Sequence, residues 1–304
     1  MNSFLNKLRT HLFTPGSDLQ LKVRTLYHRL SATRLGFLVQ HWLSMRSYRI
    51  WRQKHLLELD IALDHFSVQP KLSFILSVDG SNSMDAIATL QSIEALNSPH
   101  WEILLVELEE TFNESLPERI KEDDRIKSVD QYQDNLLTSV EGDYIIFCAP
   151  GDRFHPSLLS QFYRLLSENT LPDLVYYDGE YLDEISGKMR PHFKPGQYSP
   201  DLLLSLNYLS RSFIKTTTLR AIGQKVEPGE DLQSQEFDLV LQLCEKQPTI
   251  RHIPAVLVQQ SALVSAQIPI NRKAIGQHLC RSGCEDVKFD ETMPAPHFTW
   301  DPGN

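Results

Sequence analysis

The 304-residue sequence has few cysteines and no long uninterrupted apolar run. Its cysteines, Cys148, Cys244, Cys280 and Cys284, are too few and too scattered for a disulfide framework, so a reducing compartment is expected. No run approaches the roughly 18 apolar residues that a membrane-spanning helix needs. The first residues also lack a charged start followed by an apolar core, so no signal peptide is expected. These features favour a cytoplasmic globular protein.

Positive charge is scarce in the chain as a whole, which carries a net charge of −9. It is concentrated in residues 1–54, which contain ten Lys or Arg and a single acid, Asp18. The remaining residues therefore carry a net charge of −18. Nucleic-acid binding is not expected, because the net charge is negative and the basic segment contains no recognisable nucleic-acid-binding motif.

Residues 1–66 are predicted to form a basic helical N-terminal arm. Leu19, Val23, Leu26 and Leu30 recur at helical spacing, with basic residues between them. Such a helix can lie on an anionic membrane surface, which would place the protein peripherally at the inner face of the membrane. Alternatively, the apolar side of the arm packs on protein and its cations are solvated. The sequence leaves both explanations open.

From residue 67 onward, short apolar runs alternate with amphipathic segments, and residues 67–290 are predicted to form one domain followed by a tail of residues 291–304. The predicted strands are Leu72–Val78, Trp101–Val106, Arg125–Val129, a strand ending at Cys148, Asp173–Tyr177 and Ile250–Val258. Helices are predicted around residues 87–96, 131–140, 156–167, 234–245 and 271–281. This alternation predicts an α/β fold, a mostly parallel sheet with helices on both faces.

The end of the fourth strand is the most informative place in the sequence. The apolar run that ends in Phe147-Cys148 is followed by Ala149-Pro150-Gly151-Asp152, in which only Asp152 is charged. In open α/β sheets, ligands bind at the carboxyl ends of the parallel strands. A plainer interpretation of Asp152 is an acid near a helix N-terminus, where the helix dipole favours negative charge.

An ordered set of motifs resembles glycosyltransferase family 2, and most closely the bacterial O-antigen and rhamnan-type transferases. The likeness extends from about residue 48 to residue 290. The motifs that carry it are Pro70–Val78, Trp101-Glu102-Ile103, Glu141-Gly142-Asp143-Tyr144, Asp173-Leu174-Val175-Tyr176, Phe193-Lys194-Pro195, Ser199-Pro200-Asp201-Leu202-Leu203, Asn207-Tyr208, Phe237–Leu241 and His252-Ile253-Pro254.

The resemblance implies the GT-A fold, in which a nucleotide-binding α/β half is followed by an acceptor half. It also implies transfer of a sugar, with inversion, from a nucleotide-diphosphate donor to a cell-surface polysaccharide acceptor of the O-antigen type. The implied partners are the nucleotide-diphosphate sugar and a glycan or lipid-linked acceptor.

The metal motif of the family is eroded in this sequence. Its two aspartates fall on Ala149 and Gly151, and the next aspartate matches Asp152. The resemblance therefore implies that Asp152 binds a divalent cation, Mg²⁺ or Mn²⁺, or lies near the diphosphate. Mg²⁺ is often held by only one or two carboxylates together with phosphate and water.

The other site residues are also implied by the resemblance, and each has a structural alternative. Asp79 and Glu107 would contact the nucleotide, or lie in a turn and a solvated acidic loop. Asp178 and Glu180 would contact donor or acceptor, or belong to a hairpin. Glu236 would be the catalytic base that deprotonates the acceptor, or a first-turn acid of its helix.

Two functions remain open at this point. The first is an active transferase. The second is a catalytically impaired homologue that acts as a binding or scaffold partner of another transferase. The preserved order of the motifs favours the first, and the eroded metal motif favours the second.

Overall fold

The computed structural model describes residues 48–53, 63–78, 82–96, 98–107, 116–130, 136–168, 171–183, 187–223, 232–261, 272–289 and 298–301. The chain divides into two compact units, Met1–His55 and Leu56–Asn304. In the first unit residues 48–53 are helical, and the ring of Tyr48 stacks on that of Trp51. The rest of the predicted basic segment, residues 1–47 and 54, lies outside the described residues. The described strands all belong to the second unit.

The first half of the second unit is a parallel sheet connected by helices. After a 3₁₀ turn at Leu63–His65, its elements are β1 (Leu72–Val78), α1 (Ser83–Glu94), β2 (Trp101–Glu107), α2 (Glu118–Lys121), β3 (Ile126–Asp130), α3 (Leu136–Ser139) and β4 (Tyr144–Cys148). The strand order is β3-β2-β1-β4, and each neighbouring pair is parallel. Since β2 and β3 lie on one side of β1 and β4 lies on the other, the strand order reverses between β1 and β4.

The second half extends the sheet beyond β4. Its elements are β5 (Arg153–Phe154), α4 (Leu158–Glu168), β6 (Leu174–Asp183), β7 (Lys188–His192), α5 (Pro200–Ser205), β8 (Phe213–Lys215), α6 (Thr216–Ile222), α7 (Leu232–Glu245), β9 (Ile250–Gln260) and α8 (Arg272–Arg281). The order continues β4-β8-β6-β9-β5, and β7 pairs with β6 as a hairpin. A separate antiparallel pair, β10 (Glu285–Phe289) and β11 (Phe298–Asp301), follows, so a strand lies in the predicted tail.

The short strand β8 runs antiparallel to both of its neighbours, β4 and β6, whereas β9 is parallel to β6. An antiparallel strand begins at the end of the sheet where its parallel neighbours finish. The residues that precede β8 therefore lie beside the carboxyl end of β4 and the middle of β6, which continues to Asp183. This is the side of the sheet on which α/β proteins place their ligands.

Successive strand residues point to opposite faces of the sheet, and each face is covered by helices. Phe74 and Leu76 of β1 belong to one buried cluster, together with residues of α1 and α4. Ile75, between them, belongs to a second cluster that includes residues of α7 and α8. The predicted fold class, an α/β sheet with helices on both faces, is confirmed.

A buried carboxylate joins the amino-terminal ends of the central strands. Glu102 on β2 is fully buried, and its oxygens accept hydrogen bonds from side-chain and backbone donors. These donors are Ser73 Oγ at 2.5 Å, the backbone N–H groups of Glu141 at 2.7 Å and Gly142 at 3.2 Å, Lys71 Nζ at 3.1 Å and Lys127 Nζ at 3.2 Å. A Cβ atom on Gly142 would lie 2.5 Å from Ser73 Oγ, so this approach requires glycine.

The predicted strands are confirmed with small changes in their bounds, and several short elements were not predicted, namely α2, β5, β8, α6, β10 and β11. β6 and β9 extend to Asp183 and Gln260, beyond the predicted ends. β8 and α6 were not predicted, because a three-residue strand leaves little periodicity and α6 opens with three threonines, which are weak helix formers. Of the helix predicted over residues 131–140, the described part is Leu136–Ser139. No helix in the ranges given above is long and apolar enough to cross a membrane.

Candidate functional site

The loop after β4 turns sharply back on itself and places Asp152 inside the protein. Gly151 has a left-handed backbone, φ 89°, and a Cβ atom there would lie 2.8 Å from Cβ of Ser261. Its N–H donates to the carbonyl of Asp85 and to Thr89 Oγ1 of α1. Only glycine suits both the conformation and the close approach, and the turn is thereby attached to α1.

Asp152 is completely buried and fully engaged by donors. Its Oδ2 atom accepts hydrogen bonds from the Ala149 N–H at 2.9 Å and from Arg211 Nε at 2.6 Å. Its Oδ1 atom accepts from the N–H of Ser261 at 3.3 Å. The carboxylate therefore forms a buried ion pair with Arg211, a residue that precedes β8.

Arg211 connects Asp152 to a second acid. The residue is 1% exposed, and its backbone is left-handed with φ 59°, which is uncommon for a residue other than glycine. Its backbone N–H donates to Glu236 Oε1 at 2.8 Å, and its Nη1 atom lies 3.4 Å from Ser210 Oγ. One arginine therefore contacts two of the predicted site residues.

Glu236 lies near the start of α7 and is 2% exposed. Burial raises the pKa of its carboxyl to about 7, although the charge and N–H group of Arg211 act in the opposite direction. A carboxyl with a pKa close to neutrality can give up or take a proton at physiological pH.

Lys194 and Asp178 complete the arrangement from β6 and the segment after β7. The Lys194 N–H donates to Asp178 Oδ1 at 2.8 Å, and Lys194 Nζ donates to the Ser210 carbonyl at 3.0 Å. His252 Nε2 lies 3.0 Å from the same Asp178 oxygen. Burial, together with the nearby charge of Arg211, lowers the pKa of Lys194 to about 7. We call the five residues Asp152, Asp178, Lys194, Arg211 and Glu236 the charge cluster.

The structure brings three of the predicted site residues, Asp152, Asp178 and Glu236, into the charge cluster. Glu180 is also buried and follows Asp178 on β6. Glu107 is the last residue of β2, at the carboxyl end of that strand, but its side chain lies outside the described residues, as does the whole of Asp79.

Sequence reasoning assigned no site role to Arg211, His192, His252 or Gln260. It left open whether Lys194 is a cation for the diphosphate or a surface lysine. His192 Nδ1 lies 3.0 Å from Gln260 Oε1, and burial lowers the pKa of His192. One signal could have identified Arg211. It is the only charged residue between Asn207 and Ile214, a run in which every described residue is buried. A lone arginine in a buried run calls for an acidic partner.

The described residues around Asp152 do not fit a divalent cation. Both of its oxygens already accept hydrogen bonds, and a guanidinium group occupies the position beside them. Within the described ranges, no group of three or more His, Cys, Asp or Glu is arranged to hold a metal ion. The predicted metal role of Asp152 has no supporting ligand set there.

A separate open cleft of about 880 Å³ lies between the end of α6 and the helices α7 and α8. Its lining includes Asp238, Gln242, Arg272, Lys273 and Arg281, and none of its lining residues belongs to the charge cluster. The cleft and the cluster are therefore distinct places on this unit.

Comparisons with known proteins give similarities in structure only. No protein-family model and no curated protein matches the sequence. Among solved structures, the chain is similar to the crystal structure of residues 1–349 of S. aureus TarS, with 14% identity, a TM-score of 0.49, and 70% of this chain and 72% of that chain covered. It is also similar to the same TarS fragment in complex with UDP, with 14% identity, a TM-score of 0.47, and 69% and 72% covered.

Proposed function

We propose that this protein is a glycosyltransferase of GT-A architecture that binds a nucleotide-diphosphate sugar beside the charge cluster. One observation carries the proposal. The cluster lies at the carboxyl end of β4 and beside the middle of β6, next to the point between β1 and β4 where the strand order reverses. Open α/β sheets bind ligands at such points. The family 2 motifs in the sequence support the same conclusion.

The proposed reaction is a single displacement that inverts the sugar. An acceptor hydroxyl oxygen forms a bond to the anomeric carbon while the bond from that carbon to the diphosphate oxygen breaks. The hydroxyl proton goes to a base, and the electron pair of the broken bond leaves with the nucleotide. The charge that develops on the diphosphate needs a positive group, and Arg211 and Lys194 are the cations of the cluster.

Glu236 is the proposed base. Its Oε1 atom accepts the Arg211 N–H, so the second carboxylate oxygen is the one that takes the proton. Burial raises its pKa to about 7, close to the value at which a general base works best near neutral pH. Asp178, Glu180, Glu107 and Asp79 are proposed to contact the donor or acceptor. The O-antigen-type acceptor is proposed from the sequence resemblance.

Substituting Glu236 with glutamine should lower the rate of sugar transfer by about 10²–10⁴-fold, the usual contribution of a general base. Donor binding should persist, because the amide keeps the size of the side chain and an oxygen for the Arg211 N–H. The measurement combines calorimetry of UDP and dTDP-sugars with turnover on a lipid-linked or polysaccharide acceptor. The rate of sugar transfer by wild type should rise as the pH increases through about 7, because Glu236 loses its proton. This rise should be absent in Glu236→Gln.

A matched control is Glu245→Gln, on the same helix. Glu245 contacts His278 and Arg281 rather than the charge cluster, and its substitution should leave transfer unchanged. Unchanged turnover in Glu236→Gln would remove Glu236 from the mechanism. Failure of the wild-type protein to bind any nucleotide sugar would refute the proposed transferase function.

The second candidate function, a non-catalytic binding or scaffold partner of another transferase, is favoured by a specific observation. Asp152, Asp178 and Glu236 are each less than a tenth exposed and hydrogen bonded within the protein. A site already closed by its own cations resembles a structural ion-pair network. Co-purification with a transferase and no heat on addition of any nucleotide sugar would establish this alternative.

We further propose that the basic segment, residues 1–54, contacts the anionic inner face of the membrane. Each Lys or Arg near such a surface contributes about 1 kcal/mol, so the triple variant Lys22→Gln, Arg24→Gln, Arg29→Gln should bind anionic vesicles about a hundredfold more weakly. Vesicle sedimentation at low and high salt measures this effect. The matched control neutralises three exposed cations outside the segment, Arg153, Arg164 and Lys188. An equal loss of vesicle affinity in both triple variants, or no binding of anionic vesicles by the wild-type chain, would contradict the proposal.

A further inference from the structure

The family resemblance implies a divalent cation at the carboxylate after β4, whereas the structure has an arginine there. We infer that the Arg211 guanidinium is a built-in replacement for that cation, so that a nucleoside diphosphate binds at the charge cluster without metal. This inference rests on the proposed function. It goes beyond it by naming the group that meets the diphosphate and by predicting independence from metal ions.

The position of the guanidinium is fixed from three sides. Arg211 Nε donates to Asp152 Oδ2 at 2.6 Å, and Nη1 lies 3.4 Å from Ser210 Oγ. The backbone N–H of the same residue is held by Glu236 Oε1 at 2.8 Å. Its left-handed backbone, φ 59°, is a conformation that persists only when the surrounding structure enforces it. A bound metal ion is fixed by its ligands in a comparable way, whereas this cation is attached to the chain.

One edge of the guanidinium has no acceptor. Three buried polar groups have no hydrogen-bond partner in the described part of the chain: Arg211 Nη2, Gln260 Nε2 and the Tyr177 hydroxyl. Gln260 is followed by Ser261, whose N–H donates to the same Asp152 carboxylate. Buried polar groups normally have partners, so a buried edge of the guanidinium that lacks an acceptor indicates a place for an oxygen-rich ligand. Phosphate oxygens accept such charge-assisted bonds well.

Lys194 supplies a second cation next to the first. Its Nζ atom donates to the carbonyl of Ser210, the residue before Arg211, and lies 5.6 Å from the centre of the Tyr177 ring. Burial lowers the pKa of Lys194 to about 7, and a phosphate arriving beside it would favour the charged form. The cluster therefore has two cations of its own with which to meet the diphosphate.

The first test uses the full-length wild-type chain and calorimetry with UDP. We expect the same affinity in EDTA and in Mn²⁺. Binding that requires Mn²⁺ would overturn the inference and leave the proposed function standing. No binding of UDP or dTDP under either condition would overturn the proposed function and this inference with it.

The second test titrates Mn²⁺ alone, followed by electron paramagnetic resonance, into wild type, Arg211→Ala and Arg220→Ala. Removing Arg211 leaves the buried carboxylates of Asp152 and Glu236 without the side-chain cation near them, so Mn²⁺ should bind this variant and not wild type. In EDTA the variant should bind UDP about tenfold to a hundredfold more weakly, the loss expected for one charge-assisted hydrogen bond or two.

Arg220→Ala is the matched control, because Arg220 donates to the carbonyls of Leu137 and Val140 rather than to an acid. It should neither gain Mn²⁺ binding nor lose UDP affinity. Mn²⁺ binding by wild type, or undiminished UDP affinity of Arg211→Ala in EDTA, would overturn the inference. If Arg211→Ala does not fold, two wild-type measurements decide the outcome. They are the UDP affinity in EDTA compared with Mn²⁺, and the binding of Mn²⁺ alone.

Discussion

Replacing Asp152 with alanine is expected to lower the free energy of unfolding by about 3–5 kcal/mol, the usual cost of removing one partner of a buried ion pair. Arg211 would then be a buried charge without a counter-charge, and the N–H groups of Ala149 and Ser261 would lose their acceptor. Urea unfolding followed by circular dichroism measures the change. A loss below about 1 kcal/mol, the value of an exposed pair, would show that water reaches the pair.

The double variant Asp152→Ala, Arg211→Met tests whether the loss comes from the unpaired charge. Because the second substitution removes the buried cation and keeps an unbranched side chain, the double variant should be more stable than Asp152→Ala alone. Replacing a whole buried ion pair by apolar residues is often close to neutral. If the two substitutions destabilise additively, Asp152 and Arg211 are not coupled.

Replacing Glu102 with alanine is expected to cost a similar amount, about 3–5 kcal/mol, at the opposite end of the sheet. The substitution removes the acceptor shared by Ser73, Lys71, Lys127 and two backbone N–H groups. Glu141→Ala is the matched control, since Glu141 binds the same two lysines from an exposed position and should change stability little. Equal effects of the two substitutions would contradict a special role for the buried acid.

The same carboxylate gives the stability a dependence on pH. Burial acts to raise the pKa of Glu102, but the hydrogen bonds from Ser73, Glu141, Lys71 and Lys127 outweigh it and hold the pKa below the ordinary 4.5. A carboxyl with a lowered pKa in the folded state contributes its full stability above the unfolded pKa and loses it as pH falls through the folded pKa. As the pH falls below 4.5, the free energy of unfolding should therefore decrease more steeply for wild type than for Glu102→Ala.

The sheet could be predicted largely from local patterns. β1 was predicted with its observed bounds, Leu72–Val78, because a fully buried strand appears as a short apolar run ended by turn residues. The position of β8 could not be predicted in the same way. Its three residues carry no periodicity, and their insertion between β4 and β6 depends on pairing with strands distant in sequence.

The acids of the candidate site were predicted from the sequence, whereas Arg211 was missed and the role of Lys194 was left open. Asp152 follows β4, Asp178 lies within β6 directly after the predicted strand, and Glu236 lies near the start of α7. The family resemblance identified all three acids, and the strand-end rule also pointed to Asp152. Arg211 lies 59 positions from Asp152 along the chain, so the pair becomes visible only when β8 is in place. Local sequence shows that an acid is present, and tertiary structure determines what neutralises it.

The reversed direction of β8 links the assembly of the sheet to the neutralisation of charge. The strand that fills the gap between β4 and β6 is the one that delivers Arg211 to Asp152. Until β8 has docked, the loop after β4 would expose an unbalanced acid and the sheet would remain in two parts. Folding intermediates with this strand detached should therefore keep Asp152 hydrated, and completion of the core and formation of the ion pair should occur as a single cooperative step.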